Sequence, residues 1–177
     1  LSFGGTGYDS KKLVSLSVDL VHKGYRVIVS ASHIAPLHAF PKISNLYVAT
    51  YVPGQEVCRH VDLVVCHGGY GTMMQAFLAG TPVIAVPFNP DQLLHALRVA
   101  ELGLGRCVVR YELRPFLTLE WGSFMSLGSR VPNDWILSAA ETVLANIKTY
   151  QKAISKFFSD KSIYNGAQKA ASLIENI

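Results

Sequence analysis

Charge is scarce in this chain: acidic and basic side chains together make up 16% of its 177 residues, and the formal net charge is +4. Lysines and arginines are scattered, not gathered into a stripe, so composition offers no footprint for nucleic acid. Long apolar runs are missing as well. No eighteen consecutive residues escape polar interruption, which argues against a membrane span, and no secretory pattern opens the chain. Cysteine is limited to Cys58, Cys66 and Cys107 without a C-x-x-C pair, which argues against structural zinc and suits buried thiols in a reducing compartment. There is no D-x-D pair to hold a divalent cation. Neither G-x-G-x-x-G nor G-x-x-x-x-G-K-[ST] occurs, so the dinucleotide fingerprint and the ATP-type phosphate loop are both absent. These absences lead to the expectation of a soluble, cytoplasmic protein without metal.

What the chain does contain is apolar residues, 50% of the total, enough to bury one full core at this length. One domain spanning residues 1–177 is expected. Short β-branched runs alternate with segments of helical period, the pattern of a parallel sheet with crossover helices. Strands are expected near residues 1–3, 25–31, 46–50, 61–66, 82–87 and 105–109, which gives a Rossmann-like α/β sheet of about six strands. Helices fit 10–23, 72–79 and 91–102, with a short turn of helix at 55–60. Gly80 and Gly103 stand where helix-terminating glycines belong. The runs VDLVVC and PVIAVP are apolar at nearly every position, as strands covered on both faces must be. Residues 111–133 lose this order and read as an irregular excursion. Extra helices return at 133–158, with Asn133 or Asp134 as cap, and at 160–177. The opening LSFGG reads as the tail of a strand, and hence as a piece of something longer.

Ligands of open parallel sheets sit beyond the carboxyl ends of the strands, and HGGYGT (residues 67–72) occupies such a handover from strand to helix. Glycines there let backbone N–H groups approach an anion, and the helix start adds unpaired N–H groups and the positive end of its dipole. His67 and the Thr72 hydroxyl are placed to assist. In isolation His67 would read as a structural histidine and Thr72 as a plain cap. FGGTG (residues 3–7) is a second glycine turn that could face the same rim. Asp91 and Gln92 open the next helix, where Asn89 or Asp91 could cap it, and an acceptor pair beside a phosphate seat suits sugar hydroxyls.

The sequence HGGYGT, Gln75, AGTPVIAVP, Asp91–Gln92 and HALRVAELGLG resembles the nucleotide-sugar-binding, C-terminal half of GT-B glycosyltransferases, in the UDP-glycosyltransferase-like group that glucosylates small molecules and lipids. The resemblance covers about residues 1–109 and is densest from 61 to 105. It implies a hexosyltransferase that moves a sugar, with inversion, from a nucleotide diphosphate sugar to an acceptor hydroxyl. The donor would be a UDP- or dTDP-sugar, with no separate cofactor. By the same resemblance, His67, Gly69, Gly71 and Thr72 would bind the diphosphate, joined by Gly5 and Thr6 of the second glycine turn. Tyr51, Val52 and Gln75 would bind the nucleoside, Gln75 standing where the family usually carries glutamate, and Asp91 and Gln92 would bind the sugar. The partner would be an upstream acceptor-binding domain that also supplies the catalytic base, so no catalytic residue is assigned here. A lipid acceptor would add peripheral membrane contact. Two other readings stay open: a sugar-nucleotide epimerase-like enzyme and a non-catalytic donor-binding subunit.

Overall fold

The computed structural model describes residues 1–4, 9–110, 127–159 and 166–175. Strands and helices alternate as expected. The order is α1 (Ser10–His22), β1 (Val27–Ser30), β2 (Leu46–Ala49), α2 (Gly54–Cys58), β3 (Val64–Cys66), α3 (Tyr70–Leu78), β4 (Val83–Ala85), α4 (Pro90–Glu101) and β5 (Gly105–Cys107). Among the described residues, the helices α5 (Asn133–Ala145), α6 (Ile147–Phe157) and α7 (Gly166–Glu175) then follow. All strand pairing among the described residues is parallel, in the ladders β1–β2 and β3–β4–β5.

Among the described residues there are five strands, not about six. Residues 1–3 take the place of a central strand, but Ser2 alone bridges Ser30 on one side and Cys66 on the other, a contact too short to be a strand. The others are also shorter than their apolar runs suggested, because hydrophobic residues continue past the last ladder bond.

Side-chain alternation divides the core between the two faces of the sheet. Val65 and Ile84 point into one cluster with Phe3, Leu13 and Leu16 near α1 and with Ile136 and Val143 of α5. Their neighbours Val64, Cys66, Val83 and Ala85 point into the other, with Met73 and Phe77 of α3 and Ile154 of α6. This two-sided burial explains why β3 and β4 are apolar at every position. Cys58 and Cys66 are free, buried thiols, and burial pushes the Cys66 pKa up to about 11.

Several boundaries differ from expectation for local reasons. α3 begins at Tyr70, two residues early, with Gly69 as its cap, so Thr72 lies inside the first turn. α4 begins at Pro90, and the Asn89 side chain caps it by accepting from the Gln92 N–H at 2.9 Å. Gly80 and Gly103 follow α3 and α4 with φ of +78° and +68°, as terminating glycines should. The helix expected over 133–158 breaks at Asn146, whose side chain donates back to the Thr142 carbonyl at 2.9 Å. Pro132, not Asn133 or Asp134, is the residue before α5. The Asn133 amide is engaged elsewhere, donating to Ser15 Oγ and Asp19 Oδ2 on α1.

Candidate functional site

The carboxyl ends of β3 and β4 lead into the first turns of α3 and α4. α1 and α4 have capping side chains, Asp9 and Asn89, that accept from their first-turn N–H groups. α3 has none: Gly69 offers no side chain, and the first turn contains no acidic residue. Its leading N–H groups therefore remain as a seat for an external anion.

His67 stands beneath that seat. Its side chain is buried between two glycines, since a Cβ on Gly4 would fall 2.4 Å from the imidazole Cε1 and one on Gly69 would fall 2.4 Å from Nε2. Both glycines are needed for the ring to fit, and Gly4 also has φ of +64°. Nδ1 is buried without a hydrogen-bond partner among the described residues. Burial lowers the His67 pKa from its ordinary 6.5, against an opposing contribution from the Ser2 backbone, so the ring is neutral at pH 7. A Gly69→Ala change should displace the buried ring, lowering the melting temperature and weakening phosphate binding, to be measured as a rise in the UDP dissociation constant beside thermal unfolding of the same preparation.

The next strand–helix junction packs directly on this one. Gly68 has φ of +84°, and a Cβ there would come within 2.9 Å of the Gln92 carbonyl oxygen, so glycine lets the first turn of α4 close onto the loop. Asp91 is consequently held at the rim and exposed, with its Oδ2 3.9 Å from His95 Nδ1. The exposed ring of Tyr70 lies 6.0 Å from that of His95. Gln92 behaves differently from its neighbour: its side chain is buried, and Oε1 accepts from the Phe88 N–H at 2.9 Å. Its carbonyl is thereby committed to the 88–92 loop, leaving its amide N–H donors for any sugar contact.

Tyr51, Val52, Thr72 and Gln75 meet on the wall of a cavity of about 570 Å³. Thr72 and Gln75 share a face of α3 at helical spacing. The Gln75 amide lies across the start of α2, where a Cβ on Gly54 would meet its Oε1 at 2.2 Å. Tyr51 is 79% exposed at the mouth, with a face free for an aromatic ligand. Gly71 is exposed at the start of α3. Gly5 and Thr6 lie outside the described residues. No group of three or more histidine, cysteine or acidic side chains is close enough to hold a metal ion among the described residues.

Gly54, Gly68 and His95 joined the site without having been assigned a role in the sequence, whereas Gly4 belongs to the FGGTG turn expected at this rim. Gly68 was visible in the HGG run, but the residues facing Gly4 and Gly54 lie 63 and 21 positions away and no local pattern reports them.

Residues 23–120, more than half of the chain, match the glycosyltransferase family 28 C-terminal domain. The chain belongs to this family. Among relatives of this family 28 domain, the NDP-glycosyltransferase YjiC of Bacillus licheniformis is 32% identical over 152 residues, covering 85% of this chain and 34% of that protein. The demethyllactenocin mycarosyltransferase of Streptomyces fradiae is 43% identical over 65 residues, 37% of this chain and 14% of the relative. The chain thus spans about a third or less of the length of these curated relatives. A solved structure of the calicheamicin glycosyltransferase CalG4 superposes with a TM-score of 0.74 at 20% identity, covering 99% of this chain and 41% of that one. The family 28 domain therefore has the parallel α/β fold of that half of a GT-B enzyme. No helix among its described residues is long and apolar enough to cross a membrane.

Proposed function

We propose that residues 1–177 form the donor-binding domain of an inverting glycosyltransferase that takes a nucleotide diphosphate sugar, a UDP- or dTDP-sugar, and transfers its sugar to an acceptor hydroxyl. The observation that carries this reading is the uncapped start of α3 beside buried His67 and against the first turn of α4. Three sets of groups converge there: helix N–H groups for the diphosphate, Thr72 and Gln75 toward the nucleoside cavity, and exposed Asp91 toward the sugar.

Charge develops on the diphosphate as it leaves. N–H groups already oriented toward that oxygen stabilise it without reorganisation, and the helix dipole adds about 0.3–1 kcal/mol when screened and up to about 2 kcal/mol when partly buried. In this reading the tyrosine at 51 stacks on the base, and the acceptor site and general base come from a separate upstream domain. The chain's share of the work is to bind the donor, hold its sugar and stabilise the leaving group.

The test is a thermal-shift series with UDP, dTDP and GDP. A nucleotide at a hundredfold excess over its dissociation constant should stabilise the fold by about 2.7 kcal/mol. A flat response to all three would remove the basis of the proposal. Release of free nucleotide diphosphate only when an acceptor hydroxyl is present, once an acceptor domain is joined, separates transfer from epimerisation. Binding without any turnover in that assembly would favour a donor-binding subunit.

A further inference from the structure

Of the two residues assigned to the sugar, Gln92 is held by its bond from the Phe88 N–H, whereas the Asp91 carboxylate makes no hydrogen bond among the described residues. The backbone of Asp91 is fixed, because Gly68 lets the first turn of α4 close onto the preceding junction. Its side chain is 82% exposed. A carboxylate in that state must be ordered when a sugar arrives, at a cost in side-chain freedom.

His95 stands one helical turn further along the same face of α4. Its Nδ1 is sealed from solvent and has no hydrogen-bond partner among the described residues. The acceptor it faces is Asp91, with Oδ2 at 3.9 Å. A buried polar nitrogen costs stability unless it gains a partner. The distance is roughly 1 Å longer than a hydrogen bond, and rotation of the carboxylate about its own side-chain bonds closes such a gap. The tilted Tyr70 ring, 6.0 Å away, stands against the imidazole on the α3 side. The next basic residue along α4, Arg98, is engaged with Glu101 at 2.7 Å, which leaves His95 as the donor for Asp91.

We propose that His95 is a positioning residue for the donor sugar: its Nδ1–H donates to Asp91 Oδ2 and holds the carboxylate so that Oδ1 accepts from a sugar hydroxyl. The bond fixes the tautomer, with the lone pair of the neutral ring on Nε2. This role rests on the donor-binding reading of Asp91 given above. His95 is not on the wall of the nucleoside cavity, so its effect falls on the sugar and not on the nucleotide.

The experiment titrates UDP-glucose and UDP against the 177-residue chain and against His95→Leu, His95→Asn, Asp91→Ala and the variant combining His95→Leu with Asp91→Ala. dTDP-glucose and dTDP replace them where the chain prefers that base. Leucine fills the place of the ring without a donor, and asparagine keeps an N–H near the position of Nδ1. The quantity read is the dissociation constant of the nucleotide sugar divided by that of the nucleotide. His95→Leu and Asp91→Ala should each raise this ratio roughly tenfold or more, as for one lost hydrogen bond to a charged group, with nucleotide affinity itself within about twofold of wild type. His95→Asn should restore most of the loss. The combined variant should be no worse than Asp91→Ala, because residues that act as one unit are not additive. An unchanged ratio in His95→Leu, equal weakening of nucleotide and nucleotide sugar, asparagine behaving like leucine, or an additive loss in the combined variant overturns the proposal. An unchanged ratio in Asp91→Ala takes Asp91 out of the sugar site and removes the role of His95, while leaving nucleotide binding in place. A wild-type chain that binds neither nucleotide refutes the donor-binding function itself, and this role with it.

Discussion

Replacing His67 with alanine should raise the dissociation constant for UDP by roughly ten- to a hundredfold, the 1.5–3 kcal/mol expected for a lost hydrogen bond to a charged group. In an enzyme joined to its acceptor domain, removal of a preorganised donor to a developing anion should slow turnover by about a hundred- to a thousandfold. The ring is buried between Gly4 and Gly69, so the melting temperature will fall as well. The ratio of the two effects is what decides. A structural histidine predicts a lower melting temperature with unchanged UDP affinity, and calorimetric titration beside thermal unfolding on one preparation separates the cases. pH supplies an independent check. Burial holds the folded pKa of His67 below 6.5, so the unfolded chain takes up a proton there before the folded one does. The contribution to stability is therefore complete above pH 6.5 and is lost as pH falls from 6.5 toward the folded pKa. Wild-type protein should lose melting temperature more steeply below pH 6.5 than His67→Asn, whose amide does not titrate; parallel curves would rule this linkage out.

The largest effect on folding is expected from Gly105→Ala. Gly105 pairs with Val83 where β5 joins β4, and a Cβ there would lie 1.9 Å from the Val83 carbonyl oxygen and 2.8 Å from its carbon. The obstructing atoms belong to the backbone of a fully buried strand, so no side chain can swing aside. Relief requires β5 to move off the ladder. Overpacking of this kind costs about 3 kcal/mol at the upper end of its usual range, which for this chain length lowers the melting temperature by roughly 6–12 °C. Circular dichroism melting of the purified variant measures it directly. An unchanged melting temperature would mean that β5 is not held as closely to β4 as described.

The order of elements was legible in the sequence because it rests on local periodicity. VVC and VIA are apolar at successive positions, since both faces of β3 and β4 are covered, and Gly80 and Gly103 mark helix ends through their own positive φ. The HGGYGT turn was legible for the same reason: glycine beside a strand end and a helix start is a statement about the backbone at that place. Contacts between distant segments were not. Sequence placed His67 and Gln92 near the rim, but only the fold puts Gly4 against the imidazole, commits the Gln92 carbonyl to Phe88 and lays Gln75 across Gly54. The break at Asn146 and the displaced α5 cap likewise follow from side-chain hydrogen bonds to Thr142 and to α1. Local pattern determines which backbone conformation a segment adopts, because propensity and alternation act over a few residues. Which side chain faces which depends on how whole elements pack, and in this protein that packing decides whether a histidine and two amides point at a ligand or at the protein itself.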